Sequence, residues 1–374
     1  MTIAPGLLPE GLRDRLPPQA EAGSRLLHRV IVAIGRHGYA RVSPPLAEFE
    51  EGLVAQLKSA RAQDLLRFVD PVSQRTLALR PDITAQVGRI AATRMGHRRR
   101  PLRLAYGGPV LKLRATQLRP ERELTQAGAE LIGTDSLAAV IEVLRVAIEA
   151  LEVAGVTGIT VDLTLPDLVE MLASGAMPLP ADRVDAVRDM LDAKDAGGLA
   201  SLGAGAYLPF IQAAGPVAPA LARLREIGGA SIFGALDKRI EAIEAIMDAV
   251  GGQVSLTLDP TERHGFEYQT WIGFSLFGQG LSGEIGRGGS YTIVHPDGHE
   301  EKAIGFSVYI DPLVDIGLGV VEHRRVFLPL GTDPALAAAL RGEDWITIAA
   351  LSEQDDAAAL GCTHILRDGD PIAL

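Results

Sequence analysis

The sequence predicts an α+β fold in which an antiparallel sheet flanked by helices forms the core, with a helical insertion and a small C-terminal α/β domain. Strand-like segments at residues 102–113 and 122–132 are joined by a polar loop, as in an antiparallel hairpin. Residues 166–250 have a helical pattern, and short apolar runs alternate with Ala-rich segments near the end of the chain. The predicted domains are therefore residues 1–322, including the insertion at about 166–250, and residues 323–374.

Local patterns place the elements along the chain. Residues 20–37 carry apolar side chains at helical spacing, and Gly38 stands where a C-terminal cap is expected. Residues 136–153 form the clearest amphipathic helix, with Asp135 or Ser136 as its cap. Short strands are predicted at residues 39–42, 158–164, 253–259, 266–277 and 284–294.

Two further segments complete the predicted fold. Gly305 and Phe306 open a final apolar segment, which is a candidate helix. Beyond residue 323, the runs RVFLPLG, WITIAAL and THIL alternate with two Ala-rich segments. This alternation is typical of a compact βαβαβ unit.

The strand at 122–132 carries the most informative side chains. Strand alternation places Gln126, Gly128 and Glu130 on one face, together with Leu124. Because glycine weakens a strand interior, we expect another group to approach the backbone closely at Gly128.

The composition of the chain limits the classes of protein to which it can belong. The chain has 374 residues, which predicts two or three domains, and its 47% hydrophobic and 22% charged residues are typical of a globular protein. Its net charge is −11. Cys362 is the single cysteine, so an internal disulfide and a cysteine-cluster zinc site are excluded, and the histidines show no ligand spacing. No apolar stretch approaches the roughly 20 residues that span a bilayer, and the N-terminal residues lack a signal-peptide pattern. We therefore expect a cytoplasmic protein without a metal or cofactor.

Residues 94–100, RMGHRRR, form the one dense basic segment of the chain. Two interpretations are open: a solvated loop ahead of a strand, or a docking patch for an acidic partner or a phosphate. Since acidic residues outnumber basic ones by 47 to 36, RNA binding is not favoured.

Several separated segments together resemble histidyl-tRNA synthetase, a class II aminoacyl-tRNA synthetase. They follow the family's order over roughly residues 9–315: PEGLRDRLP, HGYARVSPPLAEFE, FVDPVSQRTLALRPDIT, GGPVLKLRATQLRPERELTQAGAELIG, HGFEYQT, GRGGSY and AIGFSVYIDPL. The resemblance implies a class II synthetase-like fold and a class II-type dimer.

The catalytic positions depart from the family pattern. The family's phosphate-binding arginine falls on Lys112, its catalytic arginine on His264 and its ATP-binding arginine on Pro312. The planar fork of arginine meets a phosphate with paired charged hydrogen bonds, whereas lysine is a point charge and proline has no side-chain donor. Losing three guanidinium groups removes the electrostatic stabilisation that adenylate formation requires. The resemblance therefore implies a chain without catalytic residues.

The amino-acid pocket of the family is partly retained. The positions that hold the substrate amino group fall on Asp82, Thr84 and Gln126, and the imidazole-reading glutamate falls on Glu130. The tyrosine that flanks the imidazole falls on Gln269. The remaining candidates for histidine binding are Lys112, Tyr268 and Tyr291.

Two interpretations of this pocket are open. It is a retuned site that senses free histidine, or a vestigial cleft whose polar groups satisfy one another. In the second case Asp82 would need a partner, which Lys112 or Arg122 could supply.

One family combines these traits: the regulatory subunits of ATP phosphoribosyltransferase, which resemble the synthetase core but lack most of its anticodon domain and its aminoacylation residues. The implied partner is the short-form catalytic subunit, which transfers the phosphoribosyl group of phosphoribosyl pyrophosphate to ATP. The implied role is to activate that subunit within a hetero-oligomer and to mediate feedback inhibition by histidine in the first step of histidine biosynthesis. Binding of tRNA is not expected.

Three alternatives are open. A diverged histidyl-tRNA synthetase would exchange pyrophosphate with ATP in the presence of histidine, and another amino-acid-activating paralogue would use Asp82 and Glu130 on a different substrate. Both would need the missing arginines. A pure scaffold would bind no ligand.

Overall fold

The computed structural model describes four stretches of the chain: residues 6–54, 65–113, 120–263 and 269–374. The chain separates into two compact units, Met1–Gly319 and Val320–Leu374. The sequence predicts a division between residues 322 and 323, close to this boundary. A free, buried Cys362 lies in the second unit.

The helices and strands are interleaved along the chain. The α-helices are α1 Gln19–Arg36, α2 Glu50–Val54, α3 Thr84–Thr93, α4 Leu137–Val153, α5 Leu168–Ala173, α6 Ala181–Asp192, α7 Ala196–Ser201, α8 Leu208–Gln212, α9 Val217–Val250, α10 Asp311–Asp315 and α11 Pro334–Gly342. The strands are β1 Ala40–Arg41, β2 Ala47–Phe49, β3 Leu66–Val69, β4 Thr76–Leu79, β5 Leu102–Leu111, β6 Glu123–Ile132, β7 Thr160–Thr164, β8 Gly215–Pro216, β9 Ser255–Asp259, β10 Gln269–Phe277, β11 Gly286–Val294, β12 Glu300–Tyr309, β13 Arg325–Leu328, β14 Ile346–Ala349, β15 His364–Arg367 and β16 Asp370–Ala373.

A nine-stranded sheet forms the centre of the first unit, in the order β1-β5-β6-β12-β11-β10-β7-β9-β8. Its central pairs are antiparallel, and the predicted hairpin is the β5–β6 pair. The pairs β1–β5 and β7–β9 are parallel, so the sheet is mixed toward its two edges. The predicted α+β class is confirmed.

Helices α1 and α4 pack against one face of this sheet. The apolar stripe of α1 contributes Leu26, Val30 and Ile34, which are fully buried with α4 in one hydrophobic cluster. Such burial contributes about 1.5–3 kcal/mol per side chain. The side chain of Ser136 accepts a hydrogen bond from the amide of Ala139, so Ser136 is the cap of α4.

The segment at 166–250 contains α5 to α9, as its helical pattern predicts, and also the short strand β8. Its apolar side chains, including Leu172, Leu191 and Phe210, are buried in the same cluster as α1 and α4. The insertion is therefore continuous with the main core.

The candidate helix that opens at Gly305 and Phe306 is wrong. These residues lie within β12, and only Asp311–Asp315 is helical. Strand β12 lies between β6 and β11 and is buried on both faces from residue 303 onward. A strand covered on both sides has a continuous apolar run, which periodicity alone does not distinguish from a buried helix.

The predicted βαβαβ tail is wrong in its second half. Strands β13 to β16 form a four-stranded sheet with α11, but residues 350–362 form turns in place of a second helix. The side chain of Asp355 accepts hydrogen bonds from the amides of Leu351 and Ser352, and Asp356 accepts one from Ala359. Aspartates that bind nearby amides compete with a helix over so short a segment.

A three-stranded sheet in the order β2-β4-β3 has no counterpart in the sequence prediction. Its strands are only three or four residues long. Across the described residues, none of the helices is both long and apolar enough to cross a membrane.

Candidate functional site

Strand β6 forms the floor of the candidate site. Gln126 and Glu130 are almost completely buried on the sheet face opposite α4, with Gly128 between them. A Cβ atom at Gly128 would lie 2.6 Å from the hydroxyl oxygen of Tyr106 on β5. The carbonyl oxygen of Phe306 on β12 would lie closer still, so both neighbouring strands approach the backbone here and only glycine leaves room for them.

The Glu130 carboxyl group receives hydrogen bonds from two tyrosines. The hydroxyl of Tyr106 donates to Oε1 at 2.9 Å, and the hydroxyl of Tyr291 on β11 donates to Oε2 at 2.8 Å. Gly305 on β12 faces the same carboxyl group, and a Cβ atom there would overlap Oε2. Three strands thus shape the space that Glu130 occupies.

Burial, with a smaller contribution from the Asp82 carboxylate, raises the pKa of Glu130 to about 8. The hydrogen bonds from Tyr291, Tyr106 and Thr84 oppose this shift by stabilising the charged form. Near neutral pH the carboxyl group is therefore mostly protonated, and a bound cation would favour its ionisation.

Gln126 links the sheet to the turn that carries Asp82. Its Nε2 donates to Oδ2 of Asp82 at 2.7 Å and to Oγ of Ser307 at 2.6 Å, while its Oε1 accepts from the amide of Ile83. The amide of Thr84 donates to Oδ1 of Asp82 at 2.7 Å. Both oxygens of Asp82 are thus held in place by uncharged donors.

The expected pairing of Asp82 with Arg122 or Lys112 is not what the structure shows. Arg122 donates to the backbone carbonyls of Lys112 and Glu10. The Nζ of Lys112 lies 5.2 Å from the centre of the Tyr309 ring. The partners of Asp82 are therefore Gln126 and the Thr84 amide, which bind it without neutralising it.

Three side chains of the site have no counterpart among the sequence-predicted residues. The hydroxyl of Tyr106 contacts Oγ of Ser307 at 2.8 Å and Oγ1 of Thr84 at 3.2 Å, so these residues connect α3, β5 and β12. Arg80 donates to the carbonyls of Pro109 and Pro44 and so anchors the turn before Asp82. The sequence signal that could have identified Tyr106 is its position directly opposite Gly128 in the predicted hairpin.

The predicted degenerate positions are only partly described. Lys112 directly follows β5, and Pro312 lies in the first turn of α10, where proline costs no helical hydrogen bond. His264 and Tyr268 lie outside the described residues, as do Arg114 and Ala115.

A cavity of about 260 Å³ lies beside Pro312. Four carboxyl groups line it, from Glu121, Glu284, Asp311 and Asp315, together with Leu124 and Tyr309. Arginines pair with all four carboxyl groups: Arg13 with Glu121 and Asp315, Arg15 with Asp311 and Asp315, and Arg287 with Glu284. These guanidinium groups are engaged by carboxylates, whereas adenylate chemistry needs positive charge directed at the phosphates.

The site therefore has a polar floor, and a cavity whose carboxylates are paired with arginines lies beside Pro312. Asp82, Thr84, Gln126, Glu130 and Tyr291 are brought together, as the pocket hypothesis requires. Such a floor can hold an ammonium or imidazole group by charge-assisted hydrogen bonds. Among the described residues, no group of three or more His, Cys, Asp or Glu side chains could hold a metal ion.

Comparison with known proteins gives consistent results. The family described as Histidyl-tRNA synthetase matches residues 11–313. ATP phosphoribosyltransferase regulatory subunits from Rhodospirillum centenum and Paramagnetospirillum magneticum are 43% and 42% identical to this chain, over 97% and 96% of its length and 95% and 96% of theirs.

Solved structures share the fold. A Bacillus halodurans protein, described as an ATP phosphoribosyltransferase regulatory subunit/histidyl-tRNA synthetase, superposes with a TM-score of 0.80 at 24% identity, covering 96% of this chain and 97% of that one. Histidyl-tRNA synthetase from Nostoc gives a TM-score of 0.77 at 15% identity, covering 96% and 90%.

Proposed function

We propose that this chain, which belongs to the family of ATP phosphoribosyltransferase regulatory subunits, activates a separate catalytic subunit and transmits feedback inhibition by free histidine to it. The chain is itself a regulatory, non-catalytic subunit.

One observation carries the proposal. The floor that would hold an amino acid keeps its polar groups in a connected network, from Asp82 through Gln126 and Ser307 to Tyr106 and Glu130. Beside Pro312 lies a cavity whose carboxylates are paired with arginines. A site that can hold an amino acid but not activate it suits a sensor, and we place free histidine there.

Feedback inhibition requires histidine to bind one state of the complex more tightly than another. A tenfold difference in affinity corresponds to about 1.4 kcal/mol, the scale of one charge-assisted hydrogen bond. The two buried tyrosine hydroxyls that bind Glu130 are suited to provide this difference in affinity, because a shift of β11 or β5 would break one of their hydrogen bonds.

Reconstitution tests the function. We expect the chain to co-elute with a short-form ATP phosphoribosyltransferase catalytic subunit in size-exclusion chromatography and to raise its rate of phosphoribosyl transfer. Free histidine should lower that rate in the complex but not in the catalytic subunit alone. If the mixture shows neither co-elution nor a rate increase, the proposal fails.

We also propose that the chain forms a class II-type dimer with a second copy. The short β2-β4-β3 sheet and its β3–β4 turn expose apolar side chains: Phe49 and Phe68 flank Leu77 across the strands, while Val69 at the end of β3 and Val72 in the turn are 62% and 90% exposed. Exposed apolar groups clustered on one element are typical of a protein interface.

The dimer is tested by the double substitution Val69→Asp/Val72→Asp. Placing two carboxylates in an apolar interface leaves buried charges unpaired, so light scattering should show a shift from dimer to monomer. The matched control is Leu330→Asp/Leu351→Asp, because those side chains are 52% and 90% exposed in the second unit. If the test variant stays dimeric like the control, the β3–β4 end of this sheet is not the interface.

A further inference from the structure

The basic loop, residues 94–100, connects α3 to β5 and is held in place by its last arginine. The guanidinium of Arg100 donates to the carbonyls of Ala91, Met95 and Arg98 at 3.0–3.3 Å. It also pairs with Glu301 on β12, which in turn contacts His295 at 2.8 Å. Arg100 is therefore a structural residue that ties the loop to the central sheet.

The other basic side chains of the loop point into solvent. Arg94, His97, Arg98 and Arg99 are exposed. Within the described stretches, no carboxylate lies within 4 Å of the guanidinium groups of Arg94, Arg98 or Arg99, in contrast to Arg89 and Arg103, which pair with Glu48 and Glu142. Three uncompensated arginines on an anchored loop, in a chain of net charge −11, form a localised positive patch.

The loop backbone does not favour a small phosphate as ligand. The amides of Arg94 and Met95 donate to Ile90, and the amide of Arg98 donates to Met95, so they are not available to cradle an anion. The carbonyl end of α3 also lies here, and its partial negative charge opposes a bound anion. A ligand of this loop must therefore be bound by the long arginine side chains, an arrangement that suits carboxylates spread over a protein surface.

We propose that the basic loop docks an acidic segment of the catalytic subunit, an inference that rests on the proposed function. Arginine is enriched in protein interfaces because its planar fork pairs with carboxylates in a fixed geometry. Anchoring by Arg100 lowers the entropy lost when the loop is immobilised against a partner. Because most of the remaining charge on the chain is acidic, the loop steers an acidic partner segment to this one place.

The test is the charge reversal Arg98→Glu/Arg99→Glu in the full-length chain, measured by titration against the catalytic subunit at low and high salt. We expect association about tenfold or more weaker at low salt, with the difference shrinking at high salt because screening weakens charge pairs. The milder Arg98→Gln/Arg99→Gln should give a smaller loss. The matched control is Arg29→Glu/Arg367→Glu, which changes the net charge equally at exposed positions elsewhere.

The outcomes separate this inference from the proposed function. If the wild-type chain does not bind the catalytic subunit, both are overturned. If the wild type binds and the reversal variant binds equally well, or loses no more than the control, only the docking role of the loop is overturned. Binding of a nucleic-acid duplex by the wild type that the reversal abolishes would assign the loop to nucleic acid and overturn an acidic protein partner. Thermal melting of each variant establishes that the fold is retained.

Discussion

Replacing Gly305 by alanine is expected to destabilise the chain by about 3 kcal/mol or more and to abolish histidine binding. The new Cβ would overlap the Glu130 carboxyl group and lie 2.6 Å from the carbonyl oxygen of Ala129. That carbonyl belongs to β6, which pairs with β12 at this register, so neither strand can move without breaking ladder hydrogen bonds. Thermal unfolding and calorimetric titration with histidine measure the two effects.

The matched control for this prediction is Gly35→Ala. Gly35 lies in the last turn of α1, and a Cβ there would meet no atom within 4 Å. Since alanine is a better helix former than glycine, the control should stabilise the chain by about 0.5–1 kcal/mol. A Gly305→Ala variant that melts like the wild type would show that the space around Glu130 is not tightly packed.

The substitution Glu130→Gln is expected to weaken histidine inhibition of the reconstituted complex by about tenfold to a hundredfold. Glutamine keeps the shape but cannot become an anion, so a bound imidazole loses a charge-assisted hydrogen bond worth about 1.5–3 kcal/mol. Inhibition curves of the wild-type and variant complexes measure the shift. Glu123→Gln, at the exposed first residue of the same strand, is the control and should leave the curve unchanged.

The pH dependence of histidine inhibition tests whether histidine binding depends on the protonation state of Glu130. Between the histidine pKa of about 6.5 and the Glu130 pKa of about 8, the imidazole and carboxyl group together hold one proton, which they can share on binding. Above pH 8 the free carboxyl group is ionised, so binding must take up a proton and inhibition should weaken as pH rises. Asp82, Tyr106 and Tyr291 also face this group. If Glu130→Gln leaves both the inhibition and its pH profile unchanged, the sensor lies elsewhere.

Much of the central sheet could be predicted because its signals are local. The apolar spacing of α1 and α4 and the alternation along β6 depend on residues within a few positions of one another. The exceptions have physical causes. Strand β12 is buried on both faces and loses its alternation, while the strands around residues 47–79 are too short for a period to be read.

The candidate site was predicted as a set of positions but not as a network. Asp82, Gln126 and Glu130 are brought together by the fold, whereas Tyr106, Ser307 and Arg80 complete the contacts and had no motif of their own. The sequence suggested Lys112 or Arg122 as the partner of Asp82, but its hydrogen-bond donors are the Gln126 side chain and the Thr84 amide. Uncharged donors can satisfy a buried carboxylate as well as a cation can.

The sequence by itself determined which hydrogen-bond donors the chain presents at residues 112 and 312. Lysine at 112 and proline at 312 lack the guanidinium fork whatever the fold around them, since donor chemistry belongs to the residue type. Only the tertiary structure decided that Gln126 meets Ser307 from 181 residues away, that two tyrosines bind Glu130, and that carboxylates line the cavity beside Pro312. The physical reason is that such contacts depend on strand order and register across the whole sheet, which local periodicity does not specify.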